Sequence, residues 1–458
     1  MGGRVAFFSI FASGYGKNAY LRPHIISIRK MNETKLFHNL RYVLCVGCLL
    51  AGVLTAVGQN MRAVNYDEEL VPSYELPDLL TLNDGTRVTT VRQWERRRRP
   101  ELLTLLADQE YGRTPHERIK VKHETVAVNP AALGGRATSQ QVRFTFSGRG
   151  RTVEALLLVY VPNDRQGRVP VIVGYNYNGN QTTTLEEDVL PSPSLRWMDY
   201  SETAQARGYQ QSRWDYEEAI GRGYAVATMC YNDIYPDKPS LRDESVAALF
   251  SDYDAEGVAP DEWQALGVWA WGSSRIADYL VRQSWVDRHG LALLGHSRQG
   301  KAALWAGAQD KRFAVVISND SGCGGAALSK RAFGETVARI THSFPHWFCT
   351  NFNAYADREE LLPFDQHALI SLMAPRHVYV ASAEDDAWAD PHGEFLATGY
   401  ADAVYALYGM EGLGTKQMPP VHQPIMHDSG YHIRTGKHDV TAYDWQCYLD
   451  FCDRHLKR

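Results

Sequence analysis

Leu291-Ala-Leu-Leu-Gly295-His296-Ser297-Arg298-Gln299-Gly300-Lys301-Ala-Ala-Leu-Trp305 runs from an unbroken apolar segment into Gly-His-Ser, and then at once into an Ala-rich segment. A short apolar run bounded by glycine reads as a buried strand, and the alanines that follow read as a helix. A serine on such a strand-to-helix elbow projects its Oγ from the carboxyl edge of a sheet. The backbone N–H after the serine and the helix N-terminus then face any developing oxyanion. The usual elbow is G-x-S-x-G; here the second glycine arrives one residue later, at Gly300, and Gln299 takes its normal place. An ordinary N-cap serine is the competing reading. The strand–turn–helix context favours a nucleophile.

Upstream of the elbow, strand patterns fall at residues 119–128, 141–146, 153–161 and 169–175. The first three suit an antiparallel edge meander, while Val-Pro-Val-Ile-Val-Gly-Tyr at 169–175 is a continuous apolar run suited to a buried strand. Further strands at 224–229, 291–294, 313–318 and 377–381 are separated by helical stretches. Alternating strands and helices imply an α/β fold with a mainly parallel sheet and helices on both faces. Residues 90–111 have helical spacing, with Trp94, Leu102, Leu103, Leu105 and Leu106 on a broad face. The Glu-Arg-Arg-Arg-Arg-Pro-Glu run inside that segment reads as a solvated helix face rather than a polyanion patch. Residues 181–223, rich in Pro, Ser and aromatics, read as an insertion loop over the sheet.

A nucleophilic serine needs a base, and the chain has 16 histidines. In α/β hydrolases the histidine comes last, beyond the final strand and before the last helix. His438, in a Gly-Lys-His-Asp loop just ahead of a C-terminal helical stretch, fits that place better than His432, which sits in a strand-like stretch. His422, His427 and His432 match no metal-ligand spacing.

The composition is that of a packed globular protein. Hydrophobic residues make up 44% and charged residues 22% of the 458, so the chain can bury an ample core and is not disordered. The 48 Lys+Arg against 53 Asp+Glu leave a net charge of -5, with no basic excess for a nucleic-acid partner. Residues 42–57 form one apolar run, too short for a membrane span and without a basic stop-transfer flank. Read from Met31, they are expected to be the core of a signal peptide cleaved after Gly58, with residues 1–30 an upstream extension. Residues 59–458 would then be one exported catalytic domain, secreted or periplasmic, with no stable membrane insertion; an uncleaved N-terminal anchor is the alternative. Of the seven cysteines, Cys45 and Cys48 lie in that segment. The remaining five do not make a disulfide scaffold. Cys323 and Cys349 are the candidate pair if a bridge forms; five buried thiols are the other outcome.

Further motifs carry a family resemblance. Gly295–Lys301 (GHSRQGK), Ser318–Leu328 (SNDSGCGGAAL), Arg331–Val337 (RAFGETV), Phe344–Cys349 (FPHWFC), Ala381–Pro391 (ASAEDDAWADP) and His432–Trp445 (HIRTGKHDVTAYDW) resemble the glucuronoyl esterases of carbohydrate esterase family 15, bacterial branch. The resemblance spans about Trp94 to the C-terminus. It implies an α/β-hydrolase three-layer sandwich with an antiparallel N-terminal edge. It also implies hydrolysis of esters joining (4-O-methyl)glucuronic acid of glucuronoxylan to lignin alcohols, with no cofactor or metal. By the same resemblance Ser297 is the nucleophile, His438 the base and Arg298 an oxyanion-hole side chain. Lys301, Glu335 and Trp388 would line the sugar pocket. Fungal members carry a bridged cysteine where His296 stands, so that bridge has no counterpart here.

Two acids compete to orient His438: Asp320, straight after the strand at 313–318, and Asp386, after the strand at 377–381. Both are expected to approach the imidazole, with Asp386 the main partner. A broader acetyl or feruloyl esterase or a peptidase of the same fold is the alternative reading, since fold alone does not settle chemistry. A carbohydrate-binding protein with a dead site is the third, opposed by the intact serine, histidine and acids.

Overall fold

The alternation of side chains along each strand builds two cores. Val171, Val173, Leu291, Leu293, Val378 and Val380 face one side of the sheet, while Ile172, Ala292, Leu294, Ile317, Tyr379 and Ala381 face the other. In the computed structural model, which describes residues 61–254 and 258–457, the strands are β1 (Lys120–Ala132), β2 (Ala137–Gly148), β3 (Arg151–Pro162), β4 (Val169–Asn176), β5 (Ala225–Cys230), β6 (Val286–His296), β7 (Phe313–Asn319), β8 (His377–Ala383), β9 (Ile425–Met426) and β10 (Ser429–Arg434). They form one sheet in the order β1-β2-β3-β5-β4-β6-β7-β8-β10-β9. Pairing is parallel from β5 through β4, β6, β7 and β8 to β10. It is antiparallel at the N-terminal edge and again at the short β9.

Five helices frame the sheet and the site: α1 (Arg99–Leu106), α2 (Ala265–Leu280), α3 (Arg298–Gln309), α4 (Pro391–Tyr400) and α5 (Ala442–Leu456). Helices α1, α2, α3 and α4 contribute Leu102, Trp269, Trp305 and Phe395 to the first core; α5 contributes Trp445, Tyr448 and Phe451 to the second. Helix, sheet, helix: the architecture is the α/β-hydrolase sandwich. Each fully buried aliphatic or aromatic side chain stabilises it by about 1.5–3 kcal/mol relative to exposure.

Boundaries differ from the sequence reading where polar residues hide a strand. β6 begins at Val286, five residues before the apolar run, because Val286 pairs with Val169 although Asp287, Arg288 and His289 intervene. The helical segment around Trp94 starts after Thr90, whose side chain forms a capping box with Gln93. Within it the arginine run splits. Arg96 and Arg97 are exposed as expected, but Arg98 and Arg99 are buried. Arg98 donates to the Leu79 and Asp78 carbonyls at 3.1 Å each, and Arg99 to the Ala308 carbonyl at 2.6 Å. Carbonyl acceptors offset the burial of these two cations, although the Arg99 Nε finds no partner among the described residues.

Cys230, Cys323, Cys349, Cys447 and Cys452 are all buried free thiols, so Cys323 and Cys349 are not bridged. Among the described residues no helix is long and apolar enough to cross a membrane. The expected signal segment, residues 31–58, lies outside the described residues. From Arg62 onward the chain groups as one compact unit. The connection from β4 to β5 consists of short helical turns, pinned by Gly208 N–H to the Gln181 carbonyl at 3.1 Å and Gln210 N–H to the Thr182 carbonyl at 2.7 Å.

Candidate active site

Strand register alone brings the chosen residues together. His296 of β6 pairs with Asn319 of β7, which pairs with Ala381 of β8; Ala383 of β8 pairs with Arg434 of β10. Ser297, Asp320, Asp386 and His438 all follow the carboxyl ends of these neighbouring strands, where open α/β sheets place their ligands.

Ser297 is the single residue between β6 and α3, at φ 55° and ψ -129°. A non-glycine residue held there stores about 1–3 kcal/mol of strain. Both glycines of the motif are steric requirements. A Cβ on Gly295 would stand 1.9 Å from the Gln299 carbonyl oxygen, and one on Gly300 would stand 2.8 Å from the Ser321 Cβ. A Cβ on the late second glycine would thus meet the end of β7 and the loop after it, and the Gly295 carbonyl oxygen at 3.2 Å. Arg298 is the first helical residue, so its N–H has no acceptor within the helix.

A cleft of about 470 Å³ opens over the elbow, lined by Ser297, Arg298, His438, Tyr177, Tyr209 and Arg213 among others. His438 reaches it from the loop between β10 and α5. Its Nδ1 lies 2.6 Å from Asp386 Oδ2. A carboxylate there selects the Nδ1–H tautomer and leaves Nε2 as the acceptor. The His438 ring lies 4.5 Å from the His296 ring, whose own Nδ1 is 2.5 Å from Asn319 Oδ1. Burial, then the neighbouring His438 and Arg213, hold His296 well below the usual imidazole range.

Asp320 stands just behind this pair. One oxygen of each carboxylate and one imidazole nitrogen of His438 all lie within 4.8 Å of one another. Asp320 Oδ2 accepts from Asp439 N–H at 3.4 Å and faces Arg434 Nη2 at 3.6 Å, while Oδ1 has no hydrogen-bond partner among the described residues. Burial, with the charges of Glu394 and Asp386, pushes the Asp320 carboxyl well up; Arg434 only partly offsets this. Of the two acids, Asp386 makes the direct contact.

The histidine loop is wound around one buried guanidinium. Arg434 donates to the carbonyls of Thr435 at 3.2 Å, Lys437 at 3.1 Å and Asp439 at 2.5 Å, and to Asp444 Oδ2 at 2.7 Å. Asp444 also bonds His432 Nε2 at 2.9 Å, which gives that histidine a structural partner in place of a catalytic one. His422 and His427 likewise have partners of their own, Thr435 and the Leu413 carbonyl, both at 3.0 Å.

Lys301, Glu335 and Trp388 form a second group. Lys301 Nζ donates to the Ser321 carbonyl, and to the Cys323 carbonyl at 2.7 Å, and lies 3.7 Å from Glu335 Oε2. The Glu335 N–H donates to the Trp388 carbonyl at 2.9 Å, which ties the two together. Lys301 and Glu335 are buried, whereas Trp388 is 40% exposed and presents the group's open face. Lys301 thus shares its hydrogens with the protein itself.

A family described as glucuronyl esterase, fungi, matches residues 225–409. A carbohydrate esterase from an unknown prokaryotic organism is 44% identical over 404 residues, covering 86% of this chain and 93% of its own. The 4-O-methyl-glucuronoyl methylesterase of Schizophyllum commune is 28% identical over 355 residues, covering 75% of this chain and 76% of its own. Among solved structures, a promiscuous CE15 esterase from the marine bacterial metagenome is 43% identical with a TM-score of 0.78, covering 86% of this chain and 100% of that one. The chain belongs to the glucuronoyl esterases of carbohydrate esterase family 15. It is a carboxylic ester hydrolase.

Several residues that shape this esterase's cleft carry no signal in the sequence. Arg298 does not stand free: its Nη1 bonds Asp237, and its guanidinium lies 4.7 Å from the Trp347 ring. Glu394, on α4, accepts from Ser321 N–H at 2.8 Å, Gly322 N–H at 3.0 Å and Ser382 Oγ at 2.6 Å. It thereby clamps the Asp320 loop. Arg213, from the β4–β5 connection, bonds Asp439 Oδ1 at 2.6 Å, one residue past His438. Asp237, Glu394 and Arg213 lie outside every motif quoted above, whereas Trp347 lies within Phe-Pro-His-Trp-Phe-Cys, to which periodicity assigns no role.

Proposed function

We propose that this esterase hydrolyses esters of (4-O-methyl)glucuronic acid, such as those between glucuronoxylan and lignin alcohols, through an acyl-enzyme on Ser297. The observation that carries the reading is the 2.6 Å contact of His438 with Asp386 at the mouth of a strained serine elbow. Relatives named for the same ester class support the substrate. His438 Nε2 takes the Ser297 proton as Oγ attacks the ester carbonyl. The oxyanion that forms is met by the Arg298 N–H and guanidinium. Collapse expels the alcohol, which takes the proton from His438; water then attacks the acyl-enzyme with His438 again as base. Asp386 holds the tautomer and balances the imidazolium, with Asp320 behind it. Glu335, Lys301 and Trp388 form the sugar side, Trp388 offering its exposed face for stacking.

The test is a hydrolysis panel of benzyl glucuronate, methyl glucuronate, methyl galacturonate and p-nitrophenyl acetate on purified protein. The glucuronates are expected to show the highest kcat/KM. Equal or better turnover of the acetate would refute the assignment and favour a broad carbohydrate esterase. That second reading draws its support from the 43% identical marine esterase described as promiscuous.

A further inference from the structure

Arg298 is anchored by Asp237, His346, Trp347 and Tyr231, none of which lines the cleft over the elbow. Asp237 is 4% exposed, against 26% for Arg298, and four side chains converge on its two oxygens. Oδ2 accepts from Arg298 Nη1 and from the Tyr231 hydroxyl at 2.9 Å. Oδ1 lies 2.8 Å from His346 Nε2 and accepts from Trp347 Nε1 at 2.7 Å. The Asp237 N–H is itself held, donating to Asn232 Oδ1 at 2.8 Å. Aromatic rings close the other sides. The guanidinium lies 4.7 Å from the ring centre of Trp347, 5.5 Å from Phe344 and 5.7 Å from Tyr177, and Phe344 stacks on Trp347 at 3.7 Å.

This arrangement is more than a buried ion pair. A long arginine beside a nucleophile has several rotamers, and freezing it before substrate arrives removes reorganisation from the reaction step. Burial alone would push the Asp237 carboxyl up. The His346 hydrogen bond and the Arg298 charge, with Trp347, instead hold it well below the usual carboxylate range, so it stays an anion facing the guanidinium.

We propose that Asp237, held by His346, Trp347 and Tyr231, is the positioning residue that fixes the Arg298 guanidinium at the serine elbow for oxyanion stabilisation. It acts through Arg298 and touches no substrate. The proposal rests on the reading of Arg298 as an oxyanion donor.

A double-mutant cycle tests it, with kcat and KM for benzyl glucuronate measured separately on the whole chain and thermal melting as a check on folding. Arg298→Ala should lower kcat about 100- to 1000-fold, the scale of a lost oxyanion donor. Asp237→Asn should lower kcat about 10- to 100-fold with KM little changed, as expected when a group is misplaced only for the transition state. In the Arg298→Ala background, Asp237→Asn should cost less than about twofold, because the residue it serves is gone. Trp347→Phe keeps the ring and removes one donor, so it tests the same coupling should Asp237→Asn fail to fold. Its loss should also vanish in the Arg298→Ala background. Equal losses in both backgrounds would overturn the positioning role while leaving Arg298 as the donor. If Arg298→Ala itself left kcat unchanged, the donor reading would fall and the positioning proposal with it.

Discussion

At the scale of single residues, the site rests on a few side chains whose burial sets their chemistry. Ser297→Ala and His438→Ala are each expected to lower kcat about a thousandfold or more with the melting temperature preserved, as for a nucleophile and its base. The two acids should separate. Asp386→Asn removes the carboxylate bonded to Nδ1 and should cost the most, up to about 10⁴-fold if it acts alone. Asp320→Asn should cost less, and the double variant more than either; a dead Asp320→Asn beside a near-normal Asp386→Asn would reverse the ranking. Glu394 yields a prediction on stability. Its burial pushes the carboxyl up to about 7 in the folded chain, from an ordinary value of 4.5, despite the Ser382 hydrogen bond. Between those two pH values the folded state holds a proton that the unfolded chain has released. Stability from this group is therefore complete below about pH 4.5 and falls as pH rises towards 7, by about 1.4 kcal/mol per unit at most. Melting curves from pH 4.5 to 7.5 should show wild type losing ground steadily to Glu394→Gln. A gap that stays constant or runs the other way would contradict the shift.

Elements are held in place by steric fit more than by propensity. Gly295→Ala would drive a Cβ into the carbonyl of Gln299 at 1.9 Å, so the elbow must open. We expect a loss of about 3 kcal/mol or more, in the range of severe backbone clashes, together with loss of activity. Gly221→Ala is the control. It meets nothing within 4 Å and sits at a helix end, so its melting temperature should be unchanged or slightly raised. The histidine loop is the second such element. Arg434→Met would strip three loop carbonyls of their donor and leave buried Asp444 short of a cation, a change that typically costs 3–5 kcal/mol. If Arg434 also governs the loop in function, kcat should fall at temperatures well below the new melting point. Normal turnover there would show that the loop keeps its shape without it.

For the whole molecule, the sheet sets where everything else can go. Parallel neighbours β6, β7, β8 and β10 put four loop origins side by side, so a Ser, two Asp and a His far apart in the chain share one rim. Substrate preference belongs to this scale as well, because Glu335 and Trp388 come from loops other than the one that carries His438. Trp388→Ala should weaken glucuronate esters more than p-nitrophenyl acetate, by roughly 1–3 kcal/mol. An equal fall on both substrates would mean that Trp388 supports the loop instead. Export is a further expectation for the full chain. N-terminal sequencing of the protein recovered outside the cell should begin at or near Gln59, and a product retaining residues 42–57 would favour an anchor.

The sequence by itself determined the sheet's interior strands and the elbow, because these are written locally. An apolar run such as Val169–Tyr175 reads as buried on both faces, as the strand Val169–Asn176 is, and a serine between a strand and an alanine-rich helix needs its glycines within a few residues. The choice of His438 as candidate base rested on chain order, which in this fold puts a histidine before the last helix, and the structure sets that histidine against Asp386. Only the tertiary structure decided which acid lies against the imidazole, 52 positions away. It also decided that Arg98 and Arg99 turn inward and that Cys323 and Cys349 stay unbridged. Asp237, 61 residues from Arg298 and 109 from His346, belongs to the same class. Such contacts depend on how loops from separate strands converge in space, and convergence of that kind imposes no period or spacing on the chain.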